Sequence, residues 1–304
     1  MQRSVTLTIG IPTYNRGEAV SRRVREFIEL QAPEGVELLI IDNASTDGTY
    51  ESLTSEFSRS GIRVLQNSKN LGYAGNFLRI LEEAKTDYVM VVSDEDRVNF
   101  DGLSLLLEFC AEHSPNMVSP RAQVGTKVNY RGRTQTRSIE PDEFEVAAFY
   151  VSGLTYDVSV ARDYALVVSQ LVSTNSAANI YPQVLISALA VAAGGAYFVD
   201  ALVSTQLEQL QTHIVEDNGD AYFTVSGRWA QFVGYEQFFD RDFDALLGAE
   251  GRSRLEVMRN KRREVLLNQL ERAAVGEFPG LKEHFLRGRS AKVGKNPISR
   301  ILGR

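Results

Sequence analysis

Three acids in a row, Asp94-Glu95-Asp96, follow Ser93 and the apolar run Val89-Met90-Val91-Val92. Neighbouring carboxylates repel one another and resist leaving water, so a fold that gathers three of them calls for a cation. Mg²⁺ or Mn²⁺ suits the site, because hard divalent ions take oxygen ligands and bridge one or two carboxylates to phosphates. The alternative is a solvated acidic turn ahead of the next helix. The apolar run bears on the choice. Four apolar residues, three of them β-branched, predict a buried strand that is apolar on both faces, as in a parallel sheet. Acids at the C-terminal end of such a strand lie where open α/β sheets bind ligands.

The segments before this one are built alike. Residues 5–11 are β-rich, and Pro12 is expected to end that strand because proline cannot donate to a ladder. Thr13-Tyr14-Asn15-Arg16 then form a polar loop before a helix over 17–30. Residues 36–41 make a second buried strand ending in Asp42. Ser45 or Thr46 is positioned to cap the following helix, with Asp47 in its first turn. A short strand over 62–65 leads into the glycine-bearing loop 67–76 and a helix to about residue 84. After the acids come a helix over 103–113 and a strand over 117–119. Strands alternating with helices predict a parallel, right-handed βαβ sheet. Polar motifs follow strands one, two and four, always at the C-terminal end.

Beyond Pro120 the pattern changes. Residues 123–138 are polar and basic, with Arg131-Gly132-Arg133 at an expected hairpin tip. Helices are expected over 140–150 and 160–171, with a short strand over 154–156 between them. Residues 175–179 form a polar loop before Pro182, which suits a helix start. Residues 184–199 are apolar but short and broken by Gly194-Gly195, hence a buried helix and a strand rather than a membrane span. Residues 205–222 are irregular, amphipathic helices fill 228–274, and the last stretch is basic. The division expected is 1–225 for the domain that carries the sheet and its motifs and 226–304 for a helical extension with a basic tail.

Composition sets limits. A net charge of -6 argues against a general nucleic-acid binder. The one cysteine, Cys110, excludes an internal disulfide and any multi-cysteine metal site, and its apolar helical surroundings predict a buried structural thiol. One cysteine is compatible with a reducing cytoplasm. The first strand opens within a few residues of Met1, so no signal peptide is expected.

Taken together, Thr-Ile-Gly-Ile-Pro-Thr-Tyr-Asn-Arg, Ile-Ile-Asp-Asn-Ala-Ser-Thr-Asp-Gly-Thr, Asn-Leu-Gly-Tyr-Ala-Gly-Asn and Val-Ser-Asp-Glu-Asp resemble, in order and spacing over residues 5–120, the family 2 glycosyltransferases. The segments Val-Ser-Gly-Leu and Asn-Ile-Tyr-Pro-Gln look like the subgroup that builds bacterial surface polysaccharides. The resemblance implies the GT-A fold: a Rossmann-like, mostly parallel sheet flanked by helices, here with a helical C-terminal extension. It implies an inverting, metal-dependent enzyme that moves a sugar from a nucleoside diphosphate sugar to an acceptor hydroxyl. Pro12, Thr13, Tyr14 and Arg16 would line the base and ribose pocket. Asp42 would accept from the base ring N–H, and Asn70, Gly72 and Asn76 would shape the wall beside the nucleotide. Asp94 would meet the ribose or the metal's water shell, with Glu95 in the same nucleotide-sugar-binding set. Asp96 would bind Mg²⁺ or Mn²⁺ directly.

The family often carries its catalytic base in a Glu-Asp pair at a helix start in the second half. Residues 175–181 offer only Asn, Ser and Ala among the polar and small residues there, so the base stays unassigned. Asp157, His213, Glu216 and Asp217 are candidates, each also explained by an ordinary surface or structural role. The implied partners are the donor and a glycan or lipid-linked acceptor, in the cytoplasm. A peripheral membrane contact through the basic tail and a homo-oligomer stay open. Two rival readings stand beside the transferase. One is a non-catalytic nucleotide-sugar-binding protein, kept alive by the missing pair. The other is a sugar nucleotidyltransferase, for which Pro12-Thr13-Tyr14-Asn15-Arg16 is the wrong loop.

Overall fold

The apolar segments of the first ninety residues pair side by side. In the computed structural model, which describes residues 5–58, 60–125, 135–206 and 223–278, they form β1 (Leu7–Thr13), β2 (Val36–Asp42), β3 (Arg63–Gln66) and β4 (Tyr88–Val91). The crossovers are α1 (Gly17–Glu29), α2 (Thr49–Glu56) and α3 (Gly72–Glu83). All pairings among these strands are parallel, in the order β3-β2-β1-β4.

The chain continues through β5 (Asp96–Val98), α4 (Phe100–His113), β6 (Met117–Gln123) and β7 (Arg137–Ser138). After a 3₁₀ turn (Pro141–Glu143) come α5 (Phe144–Ala148), β8 (Leu154–Asp157), α6 (Val158–Ser169), α7 (Ser176–Ile180), α8 (Pro182–Ala193) and β9 (Ala196–Gln206). Two helices close the described chain, α9 (Val225–Phe239) and α10 (Asp244–Glu277), the latter kinked at Gly248, where φ is 65°.

The full order is β3-β2-β1-β4-β8-β6-β9-β5, with β7 also on β9. Six strands run one way. Strands β5, β7 and β8 run the other, as their antiparallel pairings require. Thus β6 is not the next parallel neighbour of β4, as simple alternation suggests. Strand β8 is inserted between them, pairing Val91 with Leu154 and Tyr88 with Asp157.

The period of two sorts the strand residues between two cores. Leu39, Ile41, Val89 and Val91 face one core, shared with α3, α5, α6, α8, α9 and α10. Leu38, Ile40, Met90 and Val92 face the other, shared with α1, α2 and α4. The expectation of strands apolar on both faces holds. Residues 182–192 of α8 are all buried, which explains their hydropathy without a membrane. Among the described residues no helix is long and apolar enough to cross one. Cys110 is buried and unpaired, and burial pushes its thiol up to about 12.

Two local expectations fail for clear reasons. Pro12 does not stop β1, since it pairs with Ile41 and the strand runs to Thr13. Gly10 O accepts from Val92 N toward β4, and Thr13 O accepts from Asn43 N toward the β2 side. Alternation therefore points the missing N–H of Pro12 to the β4 side, past the last β1–β4 pair, Gly10–Val91, where no donor is needed. Ser45 and Thr46 do not cap α2. Its N-cap is Gly48 at φ 82°, and Asp47 accepts from Thr49 N at 3.0 Å instead. The expected helix over 140–150 begins as the 3₁₀ turn and ends at Ala148. The hairpin expected around 131–133 lies outside the described residues.

Helix α4 meets β9 at Gly102, where a Cβ would lie 2.0 Å from the Leu202 carbonyl oxygen. Backbone cannot yield there as a side chain would. Gly102→Ala is expected to cost about 3 kcal/mol, read as a fall in the urea midpoint at unchanged slope.

Candidate functional site

The polar motifs meet at one edge because β1, β2, β3 and β4 all end there. At the end of β1, Thr13 Oγ1 donates to Asp94 Oδ2 at 2.8 Å. Arg16 Nη1 donates to Asp94 Oδ1 at 3.2 Å and also to Glu95 Oε1. The side chains of Arg16, Asp94 and Glu95 retain only 15%, 7% and 16% of their exposure. Two carboxylates thus share one half-sheltered guanidinium. Burial raises Asp94 to about 6, against the pull of the Arg16 charge and the Thr13 hydrogen bond. Tyr14 is half-buried, and Pro12 lies beside it at the strand end.

Asp96 faces elsewhere. It opens β5 at 1% exposure, and its Oδ2 accepts from Tyr150 Oη at 2.6 Å while Oδ1 has no hydrogen-bond partner among the described residues. Burial raises its pKa, and the polar groups of Ser152 and Tyr150 oppose the rise. Residues 150–153 reach the acids because β8 runs antiparallel to β4. Ser93 N donates to Ser152 Oγ at 2.9 Å, and Gly153 N to Val91 O at 2.9 Å. Gly153 sits at φ 94°, where an added Cβ would meet Val203 Cγ2 at 2.6 Å.

The neighbouring wall is a lattice of amides. Asn43 Nδ2 donates to Asn70 Oδ1 at 2.8 Å and to Gly72 O at 3.2 Å. Its Oδ1 accepts from Asn67 Nδ2 at 2.7 Å and Leu71 N at 2.9 Å. Asn67 Nδ2 also reaches Asn76 Oδ1 at 3.0 Å, and Asn76 Nδ2 donates to Ile41 O at 3.0 Å. Asn70 Oδ1 receives Gly72 N at 2.8 Å. Asn76 is 3% exposed, so its amide is committed to holding α3 against β2. Gly72 is needed for its φ of 70°, since nothing lies within 4 Å of where its Cβ would be. Asp42 is fully buried and accepts from Ser45 N at 3.0 Å, Gln66 Nε2 at 3.1 Å and Ser45 Oγ. Asn15, at φ 53°, ties the first loop to the second by accepting from Thr46 N at 2.8 Å and donating its own N–H to Ser45 Oγ at 2.8 Å.

The edge therefore gathers Pro12, Thr13, Tyr14, Arg16, Asp42, Asn70, Gly72, Asn76, Asp94, Glu95 and Asp96. It does not gather Asp157. That residue pairs with Tyr88 at the opposite end of β4 and caps α6, accepting from Ser159 N at 2.9 Å and Val160 N at 3.2 Å. His213, Glu216 and Asp217 lie outside the described residues. Sequence reasoning passed over Asn43, which holds the wall, Gln66, which donates to Asp42, and Tyr150, which holds Asp96; it read Ser45 as a helix cap and Ser152 only as part of a motif. Asn43 follows its strand by one residue, a signal of position. Tyr150 gave none, because only the antiparallel insertion of β8 brings it there.

Two measurements test this geometry. Asn43→Ala leaves several buried partners unsatisfied and is expected to cost about 2 to 3 kcal/mol, visible as a lowered midpoint of urea unfolding. For Asp94 the folded chain holds the proton more tightly than the unfolded one. Its contribution is present at low pH and is lost as pH rises from about 4 through about 6. Without added metal, wild-type stability should fall over that window by on the order of 2 kcal/mol. Asp94→Asn should flatten the slope, and an equally steep decline in the variant would refute the assignment.

Comparison with known proteins agrees with this architecture. Abequosyltransferase RfbV of Salmonella typhimurium is 30% identical over 118 residues, 38% of this chain and 35% of that protein. Poly(ribitol-phosphate) beta-N-acetylglucosaminyltransferase TarS of Staphylococcus aureus is 24% identical over 128 residues, 41% of this chain and 22% of that protein. The chain thus spans well under half the length of these relatives. In fold, S. aureus TarS 1-349 in complex with UDP-GlcNAc superposes with a TM-score of 0.63 at 15% identity, covering 85% of this chain and 73% of that one. Mannosyltransferase PcManGT from Pyrobaculum calidifontis in complex with GDP-Man and Mn²⁺ gives 0.57 at 14% identity, covering 99% and 79%. Residues 8–160, half of the chain, match the family described as Glycosyl transferase family 2, and it is to this family that the chain belongs.

Proposed function

We propose that the chain transfers a sugar from a nucleoside diphosphate sugar to an acceptor hydroxyl, with inversion at the anomeric carbon, in the building of a bacterial surface glycan. The observation that carries this reading is the joining of the Thr13–Arg16 loop to Asp94 and Glu95 at the C-terminal edge of β1 and β4. TarS with UDP-GlcNAc and the mannosyltransferase with GDP-Man share this fold, which supports a nucleotide-sugar donor. Tyr14 and Pro12 offer the base an apolar surface. Thr13 and Arg16 offer donors, and Asp42 is the carboxylate proposed for the base ring N–H. Asn70, Gly72 and Asn76 keep the wall in place.

The acid run fits a divalent cation. It supplies hard oxygen donors, and Asp96 Oδ1 is a buried acceptor with no hydrogen bond among the described residues. Asp96 is the ligand proposed, with Glu95, the most exposed of the three side chains, beside it. Mg²⁺ or Mn²⁺ held there would neutralise the departing diphosphate. Arg16 now supplies the positive charge for Asp94 and Glu95, so this arginine and a metal compete for the same carboxylates.

The base that accepts the acceptor's proton is proposed among His213, Glu216 and Asp217. The chain enters their segment from Gln206, which pairs with Asp96. Asp157, at the opposite edge, is set aside. A lipid-linked acceptor would place the enzyme at the inner face of the membrane, as a peripheral contact.

Binding of UDP, GDP, dTDP and CDP is read by thermal shift with and without Mn²⁺. One diphosphate should raise the midpoint by about 5 °C only with metal present. Asp96→Ala and Glu95→Gln should each abolish the metal-dependent part. A variant that retains it removes its residue from the ligand set, and no shift with any diphosphate sinks the nucleotide-sugar reading. Given a shift, absence of any transfer or donor hydrolysis would favour the binding-protein alternative.

A further inference from the structure

We propose that the end of the molecule where α9 begins and α10 ends docks on the surface of an anionic phospholipid bilayer. The first observation is charge segregation. Residues 279–304 hold seven Lys and Arg against one Glu, net +6, while the whole chain is -6, which leaves -12 on residues 1–278. An anionic surface repels the body and attracts the tail, so approach is oriented tail-first.

The second observation is what lies at the root of that tail. Val225 N, in the first turn of α9, donates to Glu277 Oε1 at 2.5 Å. Val225 packs against the buried Leu270 of α10, in a cluster that also holds Leu267, Ala274 and Val275. This fastening brings Phe223 and Phe278 to one end of the protein, where they are 62% and 56% exposed. Trp229, 39% exposed, stacks on Phe232 one turn further along α9. Between the helices is an open groove of about 560 Å³ lined by Phe223, Arg228, Gln269, Arg272, Gly276 and Glu277. Arg228 lies over the Phe223 ring at 5.1 Å and bonds Gln231 and Gln269. Arg272 is exposed, with no ion pair among the described residues. Exposed aromatic rings beside arginines match the two layers of a bilayer surface, phosphates outside and acyl chains beneath. No described helix is long and apolar enough to cross a bilayer, so the contact is one of surface. A second copy would oppose like charges at this end, and a nucleic acid offers the phenylalanines no apolar layer.

This deepens the membrane contact proposed with the lipid-linked acceptor, yet its test is independent of transfer. Trp229 is the single tryptophan, so its emission reports on this end alone. The full chain is mixed with vesicles of phosphatidylcholine, or of phosphatidylcholine and phosphatidylglycerol in about a three-to-one ratio. Only the anionic vesicles should sediment the protein and shift Trp229 emission to the blue. Raising salt from about 0.05 to 0.5 M should weaken binding at least tenfold. The double variant Phe223→Ser, Phe278→Ser should lose the blue shift and about tenfold in partitioning. Replacing the seven basic residues of 279–304 by Gln should abolish sedimentation. The nucleotide thermal shift serves as a check on folding in both variants. Absence of binding to anionic vesicles overturns the proposal. So does binding that the double variant leaves intact, or a dimer in light scattering that already buries Trp229. Loss of the nucleotide shift in wild type would sink the transferase reading and leave vesicle binding as it was.

Discussion

Three carboxylates at the end of one buried strand constitute a repulsion that the rest of this fold must answer. The answer comes from two directions. Arg16, the residue that opens α1, takes Asp94 and Glu95. Tyr150, brought in by the segment before β8, takes Asp96. Neither partner is local. Arg16 is 78 residues from Asp94, and Tyr150 is 54 residues from Asp96. Without both contacts the acids would turn outward to water and the edge would lose its shape. The insertion of β8 between β4 and β6 is what delivers Tyr150, since a parallel neighbour of β4 would bring a different loop to this edge.

The division between the acids has a chemical consequence. Asp94 and Glu95 are neutralised by a cation that can leave, because a guanidinium on a long side chain can be exchanged for another positive charge. Asp96 is held by a neutral phenol within a buried setting, which fixes its direction but not its charge. The fold therefore balances the charge of Asp94 and Glu95 from within and leaves that of Asp96 to burial and a neutral donor. Its residual electrostatic stress lies at Asp94, whose raised pKa reports burial that its two partners only partly offset.

Much of this was legible in the sequence. The apolar runs over residues 36–41 and 89–92 predicted buried strands, the second apolar on both faces, and the alternation of strands and helices predicted parallel pairing. Acids and polar loops at strand ends pointed to one sheet edge, and the structure brings them together there. What escaped were matters of partner choice. Asp42 was read as an acceptor for a ligand, and its donors within the fold, Ser45 and Gln66, were not foreseen. Ser45 looked like a cap, yet an aspartate three residues earlier competes for its hydroxyl and wins. Pro12 looked like a stop, and only the side on which β4 ends makes it harmless. Asp157 looked close to the acids by following a motif, yet an antiparallel strand carries it to the opposite edge. Sequence reports the polarity of a residue and its place in a period. It does not report which of several donors of equal chemistry will satisfy it, since that depends on which strands lie beside one another.

The wall and the acid edge solve different problems with different chemistry. Around Asn43, four asparagines exchange amide hydrogen bonds; Asn43, Asn67 and Asn76 each use a donor and an acceptor, and Asn70 accepts through its oxygen. Neutral amides keep their geometry across a wide pH range and attract no counter-ion, which suits a surface that must hold the glycine turn at Gly72 in one conformation. Carboxylates and a guanidinium exchange partners readily, which suits a place where charge arrives and departs. The amide lattice thus stands at the ends of β2 and β3 and the exchangeable charges at the ends of β1 and β4, so that one loop set is fixed by hydrogen bonds within the fold while the other is held by ion pairs. Substitutions in the lattice should therefore register first in stability, and substitutions among the charges first in ligand and metal affinity.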